Sequence, residues 1–351
     1  MFTRHANNPL ITPAQVQPSR PDFEVIGTFN AGVTRYNGEV ILLVRVAERP
    51  ARRDAESVYC PYLTPDGEMV VKTVSRNDPN YYTDDPRIVR DVLSGETFLT
   101  SISHLRLARS HDGVSFQVAD QPFVPVEAPY ETFGMEDARI TQIDTTFYIN
   151  YSAVSPHGIA TGLLSTQDFV SVQRHGVIFP PSNRDVVIFP QKINGLYVCY
   201  HRPMPGDLGK YNIWLATSPD LIHWGGHRVV LESRELGWDG GRVGGGAPPV
   251  WTERGWLSIY HAADRGNRYC LGAFITAHDS PETVLYRSPV PIVVPEAPYE
   301  TSGFFPNVVF TCGVTLVGDT LGIYYGASDD TIALAEVSLA ALLENLASTG
   351  K

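Results

Sequence analysis

The feature that most constrains this chain is an internal period. Asp85-Pro86-Arg87-Ile88 is echoed 52 residues later by Asp137-Ala138-Arg139-Ile140, and Asp185-Val186-Val187-Ile188 follows 48 residues after that. Each opening runs on to a similar close: Ser110-His111-Asp112-Gly113-Val114-Ser115-Phe116, Ser165-Thr166-Gln167-Asp168-Phe169 and Ser218-Pro219-Asp220-Leu221-Ile222-His223-Trp224. A second self-match repeats Glu127-Ala128-Pro129-Tyr130-Glu131-Thr132 as Glu296-Ala297-Pro298-Tyr299-Glu300-Thr301, just before another opening near Asn307. Short runs rich in β-branched and aromatic residues lie between these marks, among them Val40–Val44, Thr146–Tyr151, Leu196–Tyr200, Trp256–Tyr260 and Leu321–Tyr325. They read as strands.

Units of about 40–50 residues holding several strands each cannot bury an apolar face alone and must stack, which is the pattern of a β-propeller. A β-sandwich or jelly roll would not need matched openings and closings. Openings near Asn30, Asp85, Asp137, Asp185, Ala247 and Asn307 give five or six blades. The 30 glycines and 27 prolines, above the usual share of about 12%, serve the turns of such a fold. No long polar linker interrupts the series, so residues 1–351 are expected to form one all-β domain. Only the tail reads as helical, with Leu339, Leu342, Leu343 and Leu346 on one face after a capping Ser338. That apolar stripe would pack on the propeller or on a neighbouring subunit of a homo-oligomer.

A formal charge of −11 argues against nucleic acid or an anionic membrane as the partner. Met1 to Pro9 lacks the apolar core of a signal peptide, and no run of about 18 apolar residues occurs, so a soluble, cytoplasmic protein is expected. Cys60, Cys199, Cys270 and Cys312 are widely spaced in strand-like settings and read as buried free thiols, with no metal site. There is no Gly-X-Ser-X-Gly elbow or His-Glu-X-X-His pair, and Gly240–Gly246 leads into Ala247-Pro248-Pro249 and not a helix, which argues against a nucleotide loop. It reads instead as a close turn beside a ligand, with Arg242 projecting.

In a propeller the strand openings converge at one end of the axis, so their polar residues face one pocket. Glycosidic cleavage needs a proton donor for the leaving oxygen and a nucleophile on the other face of the ring. Inverting hydrolysis takes two carboxylates. Phosphorolysis takes one acid and a cradle of cations for the phosphate. Cations at strand ends or inside apolar runs, such as Arg45, Arg184, His201 and Arg202, favour an anion site. Asp137 is the candidate acid, entering a strand that reads as buried, where desolvation would raise its pKa.

These motifs resemble glycoside hydrolase family 130, the inverting mannoside phosphorylases and their hydrolase relatives. The likeness runs through Phe29-Asn30-Ala31-Gly32, Leu43-Val44-Arg45, Asp85-Pro86-Arg87-Ile88, Glu136-Asp137-Ala138-Arg139, Asn183-Arg184-Asp185, His201-Arg202-Pro203, Tyr260-His261, Asn307-Val308 and Ser328-Asp329. It implies a five-bladed propeller and Asp137 as the single proton donor, acting through the 3-hydroxyl of the bound mannosyl unit. It also implies Arg45, Arg184, His201 and Arg202 as the phosphate cradle, with Asn30, Asp85, Arg87, Tyr260, His261, Asp264 and Asp329 around the mannosyl group. No cofactor is implied, inorganic phosphate being a co-substrate. Arg184 stands where relatives commonly carry Lys, Ala138 where Pro is frequent and Ala262 where Gly is usual; none of these removes an ionisable group.

Val46-Ala47-Glu48-Arg49-Pro50, Trp238-Asp239 and Asn267–Gly272 are most similar to the subgroup acting on β-1,2-linked mannobiose and oligomannans. The alternatives are a phosphorylase of β-1,4-mannosyl-N-acetylglucosamine or β-1,4-mannooligosaccharides, an inverting β-mannosidase, and a carbohydrate-binding propeller without turnover.

Overall fold

The structure is a computed structural model that describes residues 2–349. It is all-β. A short strand β1 (Thr3–Arg4) precedes the long hairpin of β2 (Phe23–Tyr36) and β3 (Glu39–Pro50). An excursion follows, in which β4 (Ser57–Leu63) pairs with β5 (Met69–Ser75), and β6 (Tyr81–Tyr82), β7 (Ile88–Asp91) and β8 (Thr97–Leu99) make a separate sheet. The chain then returns to lay β9 (Ile102–Ser110) against β3 and β10 (Gln117–Val118) against β9.

Two antiparallel meanders come next. The first is β11 (Gly134–Ile143), β12 (Thr146–Ser155), β13 (Gly158–Thr166) and β14 (Val172–Phe179); the second is β15 (Asn183–Ile188), β16 (Tyr197–Pro203), β17 (Ile213–Ser218) and β18 (Gly225–Leu231). β19 (Arg242–Gly245) and the short β20 (Val250–Thr252) both pair with β21 (Gly255–Ala263), which continues into β22 (Tyr269–Thr276) and β23 (Val284–Arg287). After the helical turn α1 (Pro298–Thr301), β24 (Val309–Val317), β25 (Thr320–Ala327) and β26 (Thr331–Ser338) form the last group, and β1 adds to the edge of β26. Outside the excursion the described residues thus make five antiparallel groups led by β2, β11, β15, β19 and β24, the first two joined into one eight-stranded sheet where Gly134 of β11 pairs in parallel with Ser103 of β9. β2 packs against β11 and β24, β11 against β15, β15 against β19, and β24 against β21 and β22.

Asp85-Pro86-Arg87-Ile88 does not open a group. Ile88 starts β7, which pairs only with β6 and β8 inside the excursion. The physical difference lies in the backbone: Asn30, Asp137, Asp185 and Asn307 sit at positive φ, whereas Asp85 does not. The close after Ser110 therefore belongs to the group opened near Asn30, with some fifty residues of excursion inserted before its third strand.

The recurring closes are turn locks. Ser110, Thr166 and Ser218 each accept a backbone N–H three residues on. Asp112, Asp168 and Asp220 each accept two more, at 2.7–2.9 Å. These side chains take over N–H groups that the tight turns leave without ladder partners.

The second self-match is a clamp made twice. Glu131 accepts the Tyr151 hydroxyl of β12 at 2.5 Å and Arg174 of β14 at 2.9 Å. Glu300 accepts the Tyr325 hydroxyl of β25 at 2.7 Å and Arg4 of β1 at 2.7 and 2.8 Å. In both, a buried carboxylate ties the second strand of a group to its outermost strand; in the last group the N-terminal β1 takes that outer place.

The tail forms α2 (Leu339–Thr349), whose Leu342, Leu343 and Leu346 are buried in the core shared by β22, β24, β25 and β26. The Ser338 hydroxyl accepts the Ala341 N–H as its cap. All four cysteines are free and buried. Among the described residues no helix is long and apolar enough to cross a membrane.

Candidate functional site

Three of the leading strands are broken in the same way. The register of β2, β11 and β15 against their partners shifts between Phe29 and Gly32, Glu136 and Arg139, and Arg184 and Val187. At each shift an Asn or Asp takes left-handed backbone: Asn30 (φ 49°), Asp137 (φ 49°) and Asp185 (φ 56°). These residue types tolerate that conformation best after glycine, and a bulge re-aims its side chain out of the alternating pattern. These three openings are therefore the places where polar side chains are turned to a common centre.

There Asn30 Nδ2 and Arg45 Nη1 both donate to Asp137 Oδ1 at 3.0 Å. Arg45 also donates through Nη2 to Glu136 Oε1 at 2.7 Å and through Nε to Ser103 Oγ at 3.0 Å, with its guanidinium 4.6 Å over the Phe29 ring. Arg184 reaches Glu136 at 3.6 Å. Beneath them the buried Arg139 holds three leading strands together, donating to the Asp137 carbonyl (2.8 Å), Asp185 Oδ1 (3.1 Å) and the Gly245 and Gly246 carbonyls (3.0 and 3.2 Å). Asp185 also faces Arg202 Nη1 at 2.8 Å and His261 Nε2 at 3.0 Å. A Cβ on Gly244 would stand 2.3 Å from Asp185 Oδ2, so the glycine run leaves room for this cluster.

Burial alone would raise the pKa of Asp137, as expected from its strand. Arg45, Arg139, the Asn30 hydrogen bond and Arg184 outweigh it, so the carboxyl is held below the ordinary carboxylate range. The raised carboxyl is Asp329, pushed up to about 7 chiefly by burial, with Asp137 and Glu136 adding to it against Arg45 and Arg87.

Asn30, Arg45, Arg87, Asp137, Arg184 and Asp329 line one cavity of about 420 Å³, together with Arg242, Asn267, Tyr269, Phe305, Val308 and Phe310. A second lobe of about 300 Å³ shares Arg45, Arg87, Arg184 and Asp329 and is walled by Phe29, Ile88, Leu99, Val154, Ile159 and Phe304. Six of the twelve expected site residues thus meet here. Arg202 stands directly across the ladder from Arg184 and is buried behind the cavity wall. Among the described residues Arg184 Nε and Arg202 Nε are buried without a hydrogen-bond partner.

The other expected residues are placed elsewhere. His201 falls on the opposite strand face from Arg202, hydrogen-bonded to Asn183 and His227 and stacked on Phe179 at 4.7 Å; burial lowers its pKa to about 3. Tyr260 lies in the core beside Asp239 and Arg287, while His261 on the other face backs Phe310 at 3.9 Å. Period-two alternation sends adjacent residues to opposite faces, so neither His201-Arg202 nor Tyr260-His261 can enter the site as a pair. Asp85 spends its carboxylate on Arg87 at 2.7 Å and lines a separate hollow with Arg49, Arg53 and Arg76. Asp264 accepts the N–H groups of Gly266 and Arg268 in a surface turn.

Asn267, Tyr269, Val308 and Phe310 line the cavity although the sequence reading gave them no role. Asn267-Arg268-Tyr269 and Asn307-Val308 carried a motif likeness, which was the signal available. Arg242, the projecting cation of the glycine-rich turn, bonds Asn267 and lies 5.2 Å over the Tyr269 ring.

Residues 96–348 match the model of a family described as beta-1,4-mannooligosaccharide phosphorylase. The chain is 47% identical over 346 residues to a β-1,2-mannobiose phosphorylase of Listeria innocua, with 98% of each chain covered. It is 39% identical over 237 residues to a 1,2-β-oligomannan phosphorylase of Thermoanaerobacter sp., covering 67% of this chain and 78% of that one. A solved complex of a Listeria innocua β-1,2-mannobiose phosphorylase with β-1,2-mannobiose superposes with a TM-score of 0.95 at 46% identity, covering 98% of this chain and 99% of that one.

Proposed function

The chain belongs to glycoside hydrolase family 130, and on that premise we propose that it cleaves β-1,2-linked mannobiose and mannooligosaccharides by inverting phosphorolysis, giving α-mannose 1-phosphate and the shortened sugar. The observation that carries this reading is the composition of one cavity: the carboxyls of Asp137 and Asp329 are outnumbered by the guanidinium groups of Arg45, Arg87, Arg184 and Arg242, more cations than hydrolysis by a pair of carboxylates would call for. Water needs a base to activate it, whereas phosphate arrives as a nucleophile and needs cations to hold it.

In this reading Asp137 gives its proton, through the 3-hydroxyl of the bound mannosyl unit, to the leaving oxygen as the glycosidic bond breaks. Phosphate attacks the anomeric carbon from the opposite face. Its remaining acidic proton, carried away on the sugar phosphate or returned through solvent, balances the one Asp137 has given. Arg45 and Arg184 hold the dianion, with Arg202 behind them; Asn30, Arg87 and Asp329 bound the mannosyl group, and Tyr269, Phe305 and Phe310 offer aromatic faces to sugar. The reading calls for no cofactor, with the sugar and inorganic phosphate as the substrates.

The five antiparallel groups form, in this reading, a five-bladed propeller in a single domain, closed where β1 completes the last blade. The side-by-side packing of the leading strands supports it. Linkage is tested by running the reaction in reverse, from α-mannose 1-phosphate with mannose, glucose, N-acetylglucosamine or mannobiose as acceptor. Mannose and mannobiose should be extended with β-1,2 linkage; β-1,4 products on N-acetylglucosamine or mannose would favour the alternative drawn by the family description.

A further inference from the structure

Arg45 holds the candidate acid and also lines the cavity that is to receive phosphate. Its two terminal nitrogens are both engaged, one by Asp137 Oδ1 at 3.0 Å and the other by Glu136 Oε1 at 2.7 Å, and Arg184 leans on the same Glu136. A dianion brought between Arg45 and Arg184 must compete with these carboxylates for the same donors. It also adds two negative charges beside them. Loss of a cationic partner and gain of a like charge both favour the neutral carboxyl.

We propose that dianion binding and protonation of Asp137 are one linked step, in which Arg45 acts as a positioning residue that exchanges the carboxylate for the phosphate and leaves Asp137 to take a proton from solvent. The inference rests on the reading of the cavity as a phosphorolytic site. It answers a difficulty in the geometry, where Arg45, Arg139, Asn30 and Arg184 hold the Asp137 carboxyl below the ordinary carboxylate range against its burial, the opposite of what a proton donor needs. The sugar then meets an acid that is charged with its proton only when the nucleophile is in place.

The groups facing Asp137 allow the exchange. Asn30 from β2 is neutral and can hydrogen-bond either form through its amide. Arg139 on the same strand donates to the Asp137 carbonyl and is committed to Asp185, so it does not follow the dianion. Cys312 from β24 has its thiol pushed up by burial and remains neutral. Arg184 from β15 joins the dianion, and Asp329, after β25, faces the same cavity as Arg87.

The test uses inorganic sulfate, a tetrahedral dianion that does not itself titrate between pH 5 and 9, with phosphate in parallel. Calorimetric titration at pH 6 in buffers of different ionisation enthalpy counts the protons taken up. At that pH Asp329, with its carboxyl near 7, already holds its proton for the most part, so uptake reports Asp137. Wild type should take up about 0.5–1 proton per sulfate, and its affinity should rise roughly three- to tenfold per pH unit of acidification around pH 6. Asp137→Asn should bind sulfate at least as tightly, with uptake cut to the small fraction of a proton that Asp329 still lacks and a nearly flat pH dependence.

Sulfate binding without uptake in wild type overturns the coupling and leaves the anion cradle standing. Undiminished uptake in Asp137→Asn also overturns it, by placing the proton elsewhere. Failure to bind either anion overturns the coupling and the phosphorolytic reading together. Infrared difference spectra of wild type keep the test independent of the variant: sulfate should bring up a protonated-carboxyl band, and its absence contradicts the proposal.

Discussion

Asp329 is the least supported carboxyl in the cavity: among the described residues its side chain makes no hydrogen bond, while burial and two neighbouring carboxylates push its pKa up to about 7. A folded-state pKa raised above the unfolded value favours folding most at low pH, and that contribution is lost as pH rises through about 7. Asp329→Asn should therefore gain in melting temperature on wild type between pH 5 and pH 8.5; a gap that stays constant over that range would contradict the assignment. Arg184→Ala removes a charge-assisted contact to the dianion, for which about 1.5–3 kcal/mol is typical. The KM for phosphate should then rise about 10- to 100-fold with a much smaller change for mannobiose, and equal rises would place Arg184 outside the cradle. Asp137 was legible as a special aspartate from its motif, but the direction of its pKa was not. Its decisive partners, Arg45 and Asn30, are 92 and 107 positions away.

Among the elements, the five runs read as strands from their β-branched and aromatic content all became the second strand of a group, β3, β12, β16, β21 and β25. Such strands are paired on both edges and covered on both faces, so they carry the strongest apolar signal. Openings were harder to read, because what marks them is backbone at positive φ, and Asp85-Pro86-Arg87-Ile88 copies the residue types without that conformation. The repeated Glu-Ala-Pro-Tyr-Glu-Thr segment carries a structural duty. Tyr151→Phe and Tyr325→Phe should each cost about 1–2 kcal/mol in denaturant unfolding by leaving Glu131 or Glu300 short of a donor, with kcat unchanged. A loss of turnover without a loss of stability would show that the repeated segment serves the site instead.

For the molecule as a whole, the net charge of −11 says nothing of what the cavity holds. Four arginines, from β3, the excursion, β15 and β19, are brought to one chamber by elements far apart in the chain. Sequence reading reached three of these as site residues and saw the fourth, Arg242, as a projection from a glycine-rich turn. His201 and Tyr260, named from motif position, lie off this cavity because strand alternation turns neighbours to opposite faces. The central claim is that these cations recruit phosphate as the nucleophile. Incubation of β-1,2-mannobiose with the enzyme, followed by product analysis with and without inorganic phosphate, tests it directly. The expected result is mannose and α-mannose 1-phosphate in equal amounts only when phosphate is present; free mannose released at the same rate in phosphate-free buffer would contradict it.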